Sequence, residues 1–349
     1  LNTELLLAIL GFSVAIHLAT HVLAPFNLLF SKRFGIVARP DERRVHALPT
    51  PEAGGLSFAL PVLAFQILLG FLLRSDPMGR MLISLAGVGF VTLLFGVLDD
   101  KYESRARYKL LWQIALAVVL FLIGFRVDYL TNPLGADFQL GWLSFPVTII
   151  WYLMVMNAIN LIDGIDGLAA GICVIVSAVL LVVGIQGGSL LTVALSSFLI
   201  AGNLAFLFYN FHPAKIFLGD TGALFNGLII AAISTAGTQQ FKGVASMTLM
   251  IPLSALAIPL LDVALAVFRR LRMGNIFSAD KAHLHHAMLA FGLSQKAVSI
   301  IVYIVTLLFG LIAIGFSLSS KRVLFLVLLG LLMLMVVVAY ILMRLEKKE

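Results

Sequence analysis

Asn157-Ala158-Ile159-Asn160-Leu161-Ile162-Asp163-Gly164-Ile165-Asp166-Gly167 stands between two long apolar runs, where a membrane helix should give way to water. It holds two carboxamides, two carboxylates and two glycines, and neither Lys nor Arg. Polar residues at that density beside a bilayer are costly and usually functional. Asn157, Asn160, Asp163 and Asp166 recur at every third position. On a helix that spacing drifts by about 60° per step, so the four line one broad face. Gly164 and Gly167 let the backbone turn or approach a ligand. A single Asp-Gly would read as a polar helix end. Four polar residues in register read as a site at the end of a membrane helix.

Composition agrees with that reading. The chain has 349 residues, 61% hydrophobic and 12% charged, and a mean hydropathy of +1.07. This excludes a soluble domain and implies an all-α, polytopic membrane protein, 1–349 forming one transmembrane domain. The lone Cys173 lies in an apolar run, which excludes an intramolecular disulfide and a thiolate metal cluster. The net charge of +7 reports cytoplasmic loops rather than nucleic-acid binding. The first apolar run lacks a basic leader and a small-residue cleavage site, so it reads as a spanning helix rather than a signal peptide.

Eleven apolar runs are long enough to span: roughly 4–29, 55–73, 79–98, 110–126, 142–161, 168–185, 189–209, 221–238, 246–268, 297–317 and 322–343. Pro252 and Pro259 predict a kink in the ninth. The segments 31–54, 99–109, 157–167, 210–220, 269–296 and the tail after 343 share one side and hold 18 of the 24 Lys and Arg. That bias puts them in the cytoplasm, with the N-terminus outside and the C-terminus inside. The outer loop 127–141, with Asn132-Pro133-Leu134-Gly135, reads as a turn or small hairpin.

The inner segments carry the chemistry. The first, Arg39 to Gly55, has prolines and paired glycines expected of an ordered loop, and Arg43, Arg44 and His46 suit phosphate. The second, Asp99-Asp100-Lys101-Tyr102, puts two adjacent acids at a helix exit, apt for a divalent cation or a proton acceptor. As a purely structural feature the pair is awkward, because acids at a helix C-terminus oppose its dipole. In Phe217-Leu218-Gly219-Asp220-Thr221-Gly222, Asp220 taken alone reads as a helix cap. Its two glycines admit a close backbone approach, and Phe217 suits stacking on a planar base. His283-Leu284-His285-His286 does not place three imidazoles on one helix face. It suits hydrogen bonds to a diphosphate better than zinc. Asp99, Asp100, Asn157, Asn160, Asp163, Asp166 and Asp220 are oxygen ligands, which favour Mg²⁺ or Mn²⁺. Acids, a hard cation and cationic clamps describe phosphoryl transfer.

These motifs together resemble the polyprenyl-phosphate N-acetylhexosamine-1-phosphate transferases, over nearly the whole chain from the Arg43–Gly55 loop to His286. The Arg-x-x-His-x-x-Pro-x-Pro pattern from Arg43 to Pro51 and the His-Leu-His-His form look like the WecA/TagO branch. The phospho-MurNAc-pentapeptide branch has three consecutive histidines and ten spans. The resemblance implies transfer of a sugar-1-phosphate from a UDP-sugar to a polyprenyl phosphate, with loss of UMP and dependence on Mg²⁺. N-acetylglucosamine is the sugar expected for this branch, as the first membrane step of cell-envelope polysaccharide synthesis. By motif position, Asp220 and Asn157 would be metal ligands, and Asp99, Asp100 and Asp163 would carry or organise catalysis. Asp166, Asn210 and Phe217 would receive the uridine. Asn160, His283, His285 and His286 would contact sugar and diphosphate. Lys109, Arg43 and His46 would hold the lipid phosphate. Relatives of this kind often form homodimers, although no run here marks an interface.

Two other readings compete. One is the same reaction with another donor, such as UDP-MurNAc-pentapeptide. The other is a secondary transporter of an anionic solute, against which stand the gathering of acids at one face and the absence of a repeat. A non-catalytic scaffold leaves that gathering unexplained.

Overall fold

The computed structural model describes residues 3–38, 49–130, 132, 137–240, 249–272, 284–318 and 321–346. The chain opens with α1 (Thr3–Phe34), then pairs β1 (Val37–Ala38) antiparallel with β2 (Thr50–Pro51). Next come α2 (Leu56–Leu72), α3 (Pro77–Tyr102) and α4 (Ala106–Ile123). A hairpin of β3 (Tyr129–Leu130) and β4 (Phe138–Gln139) follows, where the sequence predicts a turn or small hairpin. Beyond it lie α5 (Ser144–Ile162), α6 (Leu168–Gln186), α7 (Leu190–Asn210) and α8 (Gly219–Gln240). The chain continues with α9 (Met250–Ala255), α10 (Ala257–Arg272), α11 (Leu284–Ala290), α12 (Gln295–Leu318) and α13 (Lys321–Glu346). The break between α9 and α10 falls at Leu256, between the two prolines expected to kink that run.

Lipid cannot pair with backbone N–H and C=O groups, so apolar runs of this length must close their own hydrogen bonds as helices. Among the described residues, seven helices are long and apolar enough to cross a membrane: α1, α3, α4, α5 with the 3₁₀ turn before it, α6, α7 and α12. The chain is a multi-pass membrane protein. Its outer surface is apolar: on α1, Leu7, Leu10, Val14, Leu18, Val22, Phe26 and Leu29 are each more than half exposed. Local chemistry sets the helix ends. The Asp76 side chain accepts from the Met78 N–H at 2.7 Å, with Pro77 at the first helical position of α3.

At the centre lies α8, whose Asn226, Ser234 and Thr235 are all buried. Neighbouring helices satisfy them. Asn203 of α7 and Asn226 exchange two hydrogen bonds of 2.9 and 2.8 Å. Trp151 of α5 donates to Ser234 at 3.0 Å, and Tyr152 meets Thr235 at 3.0 Å. Such bonds help to hold helices together in membranes, where burial of apolar surface gives little preference for a partner helix over lipid. Glycines bring the backbones still closer at the motif-bearing end. A side chain on Gly55, just before α2, would collide with the backbone of Thr221 and Gly222, and one on Gly96 of α3 with that of Asp220 and Thr221. The start of α8 is thereby wedged between α2 and α3.

Candidate active site

The C-terminal ends of α3, α5 and α7 and the N-terminal ends of α4 and α8 meet at one end of the bundle. Asp100, at the end of α3, caps α8. Its Oδ1 accepts from the Asp220 N–H at 2.6 Å, and its Oδ2 accepts from the Thr221 N–H at 3.1 Å and the Thr221 hydroxyl at 2.5 Å. The first turn of a helix has unpaired N–H groups and partial positive charge, and a carboxylate from another helix suits both. This accounts for an acid that opposes the dipole of its own helix. It also frees the Asp220 side chain from the capping role that its position alone suggests.

Asp99 is 2% exposed. Its Oδ1 accepts from the Ser104 N–H at 3.0 Å, and its Oδ2 lies 2.5 Å from Lys109 Nζ. Glu103, in the left-handed region at φ 50°, turns the chain so that Ser104 reaches back. Lys109 is also 2.5 Å from Asp220 Oδ2, so one ammonium joins two carboxylates from different helices. The other oxygen of Asp220 accepts from Asn160 Nδ2. Asp99, Lys109, Asp220 and Asn160 therefore form one continuous polar cluster. Removing one partner from so buried a set leaves charge unbalanced.

Asn157 lies one helical turn before Asn160. Its Nδ2 donates to Gln113 Oε1 of α4 and to the Leu153 carbonyl, both at 2.7 Å. Asp163 follows the end of α5. Burial chiefly, and then the carboxylates of Asp220, Asp100, Glu52 and Asp166, hold its carboxyl well above the usual range. Crowded anionic charge of this kind suits a bound cation. The donor set is made of oxygens, as Mg²⁺ requires. Among the described residues no three His, Cys, Asp or Glu form a closed cage.

Asp166 and Asn210, both expected at a uridine site, are anchored to the loop between α7 and α8. Asp166 Oδ2 accepts from His212 Nδ1 at 2.8 Å and from the Ala214 N–H at 3.0 Å. Asn210 Nδ2 donates to the Ile216 carbonyl at 3.0 Å, while among the described residues its buried Oδ1 has no partner. The partly buried Phe217 is fixed through its backbone, donating to Pro51 at 2.8 Å and accepting from Gly54 at 2.9 Å. Arg43, His46 and His283 lie outside the described residues, as do the side chains of His285 and His286 on α11.

Four participants were not legible as such in the sequence. Ser104 and Thr221 act largely through backbone N–H groups. Gln113 is a lone carboxamide in an apolar run, four residues after Lys109, and that spacing was the available signal. Tyr303, from α12, had none. Its hydroxyl donates to the Gly167 carbonyl at 2.5 Å, beside a 3.3 Å bond from the Ser299 hydroxyl to the Asp166 carbonyl.

The segment that carries most of this cluster is also the segment with recognised kin. The description "Glycosyl transferase family 4" fits residues 82–238, from α3 to α8. Over 316 residues the chain is 37% identical to the "Probable undecaprenyl-phosphate N-acetylglucosaminyl 1-phosphate transferase" of Bacillus subtilis (strain 168), covering 90% of this chain and 86% of that one. The chain belongs to glycosyl transferase family 4. Within that family it is 34% identical over 337 residues to the "Decaprenyl-phosphate N-acetylglucosaminephosphotransferase" of Mycobacterium tuberculosis (strain ATCC 25618 / H37Rv), covering 88% and 81% of the two chains. It is 30% identical over 327 residues to the "Phospho-N-acetylmuramoyl-pentapeptide-transferase" of Halalkalibacterium halodurans, covering 89% and 96%. Asp99, Asp100, Lys109, Gln113, Asn157, Asn160, Asp163 and Asp220 all fall inside the stretch that defines the family, and Tyr303 falls outside it.

Proposed function

We propose that this chain transfers N-acetylglucosamine-1-phosphate from UDP-N-acetylglucosamine to a polyprenyl phosphate, releasing UMP, at the cytoplasmic face of the cell membrane. The observation that carries the reading is the cluster in which Lys109 joins Asp99 and Asp220 while Asn160 holds the second Asp220 oxygen. Relatives named for N-acetylglucosamine 1-phosphate transfer support the choice of sugar. Eleven spans, with the N-terminus outside and the C-terminus inside, belong to the same proposal.

Asp220 and the Asn157 oxygen would hold Mg²⁺, which when bound offsets diphosphate charge. Lys109 receives the lipid phosphate, and Asp99 fixes the position of that ammonium. An oxygen of the lipid phosphate attacks the β-phosphorus of the donor. The bond from that phosphorus to the bridging oxygen breaks, and its electron pair leaves with UMP. A phosphate monoester has a second pKa of about 6 and is largely dianionic at neutrality, so the attack needs no base. Both Asp99 oxygens already have partners. That favours direct displacement over a phospho-aspartate and makes Asp99 a positioning group. Asp166, Asn210 and Phe217 take the nucleoside end. His283, His285 and His286 take the sugar and diphosphate, and Arg43 and His46 assist at the lipid phosphate.

The test is UMP release by purified protein with polyprenyl phosphate and a panel of UDP-sugars, each with Mg²⁺ or with EDTA. Metal-dependent release from UDP-N-acetylglucosamine is expected. Release only from UDP-MurNAc-pentapeptide would replace the sugar assignment. No release from any donor, by protein shown to be folded, would overturn the enzymatic reading in favour of transport.

A further inference from the structure

We propose that Gln113 turns the Asn157 carboxamide so that its oxygen, and not its nitrogen, faces the divalent cation; this rests on the metal reading above. An asparagine side chain presents either end with almost the same shape, so an asparagine ligand needs something to choose the end. Here the choice is made by acceptors. Asn157 Nδ2 has two protons, and both are used, by the Leu153 carbonyl and by Gln113 Oε1, each at 2.7 Å. A backbone carbonyl only accepts, so the Asn157 atom facing Leu153 is the nitrogen. Two NH₂ groups cannot bond each other face to face in a buried pair, so Gln113 presents its oxygen. Asn157 Oδ1 is then the end left over. It accepts no hydrogen bond from the described residues and is not sealed in the protein as a buried orphan.

Gln113 bears a cost for this arrangement. It is 0% exposed, and among the described residues its Nε2 is buried without a partner. A buried donor left unpaired is destabilising, a penalty that an apolar side chain on α4 would avoid. Its place in the bundle fits the role. Lys109 lies one turn nearer the end of α4 and meets Asp220, and Asn160 lies one turn nearer the end of α5 and meets the same Asp220. Gln113 and Asn157 form the next rung inward. A bond that merely joined two helices would not need to select one end of an asparagine beside a carboxylate cluster.

The test uses the full chain in detergent, with Mn²⁺ as the probe and free Mn²⁺ followed by electron paramagnetic resonance. Wild type is expected to bind Mn²⁺ and to release it to excess Mg²⁺. Gln113→Met keeps length and loses the acceptor. It should weaken Mn²⁺ binding by about tenfold, as loss of a partner behind a ligand commonly does. Gln113→Glu keeps an acceptor oxygen and should restore most of the affinity. The decisive comparison is a double-mutant cycle: on an Asn157→Ala background, Gln113→Met should weaken binding no further. Equal Mn²⁺ affinity in wild type and Gln113→Met would overturn the proposal, and so would an undiminished Gln113→Met effect on the Asn157→Ala background. Wild type without saturable Mn²⁺ binding would instead remove the metal reading, and this inference with it. Gln113→Leu repeats the measurement should Gln113→Met fail to fold.

Discussion

Adjacent aspartates with the same side chain do different work here because their oxygens meet different partners. Asp100 is spent on the first N–H groups of α8, whereas Asp99 and Asp220 share one ammonium. The two kinds of acid should separate by experiment. Asp100→Ala removes a helix cap, and about 0.5–2 kcal/mol of stability should go with it. Thermal unfolding in detergent would register that loss, and an unchanged midpoint would contradict the capping role. Asp220→Ala should instead reduce metal-dependent UMP release by at least about 100-fold, the scale of a lost transition-state contact, in protein that still folds with Lys109 paired to Asp99. Near-normal turnover at the same Mg²⁺ would remove Asp220 from the site. The sequence marked both residues but could not divide the labour. An Asp-Asp pair states only that two carboxylates leave one helix end, and not which backbone they meet.

At the level of elements, the apolar runs gave the helices because lipid leaves the backbone little alternative. The β3–β4 hairpin and the break at Leu256 followed from turn residues and prolines, whereas the β1–β2 pair was not foreseen. What the runs could not give was contact between distant helices. The loop bearing Asp163 and Asp166 is held from α12 by Tyr303 and Ser299, more than 130 positions away, and the ring of Tyr303 occupies the space left by Gly171. One tyrosine in an apolar run carries no periodic signal, so this brace was illegible beforehand. We predict that Tyr303→Phe keeps the ring packing and loses only the bond to Gly167. If the bond positions the loop, KM for the UDP-sugar should rise by about three- to tenfold, the worth of one hydrogen bond, with little change in the unfolding midpoint. Kinetics identical to wild type would make Tyr303 a packing residue only.

The whole molecule places its polar cluster at one end of an otherwise apolar bundle, and α3 connects the two ends. Its 26 residues run from Pro77, just after the exposed Ser75, to Tyr102, just after the exposed Lys101. At 1.5 Å per residue that separates the two positions by about 39 Å, close to the full thickness of a bilayer with its headgroups. The excess of Lys and Arg predicts that the Lys101 end faces the cytoplasm, where under the proposed function a soluble UDP-sugar would reach the cluster. Chemistry can check this directly, because the chain's only cysteine, Cys173, is fully buried and gives a silent background. With a membrane-impermeant maleimide added to intact spheroplasts, Ser75→Cys should be labelled and Lys101→Cys should not. After permeabilisation both should react. The opposite pattern would invert the topology and put the cluster on the face away from cytoplasmic nucleotide sugars. Labelling of both positions in intact cells would mean that α3 does not span at all.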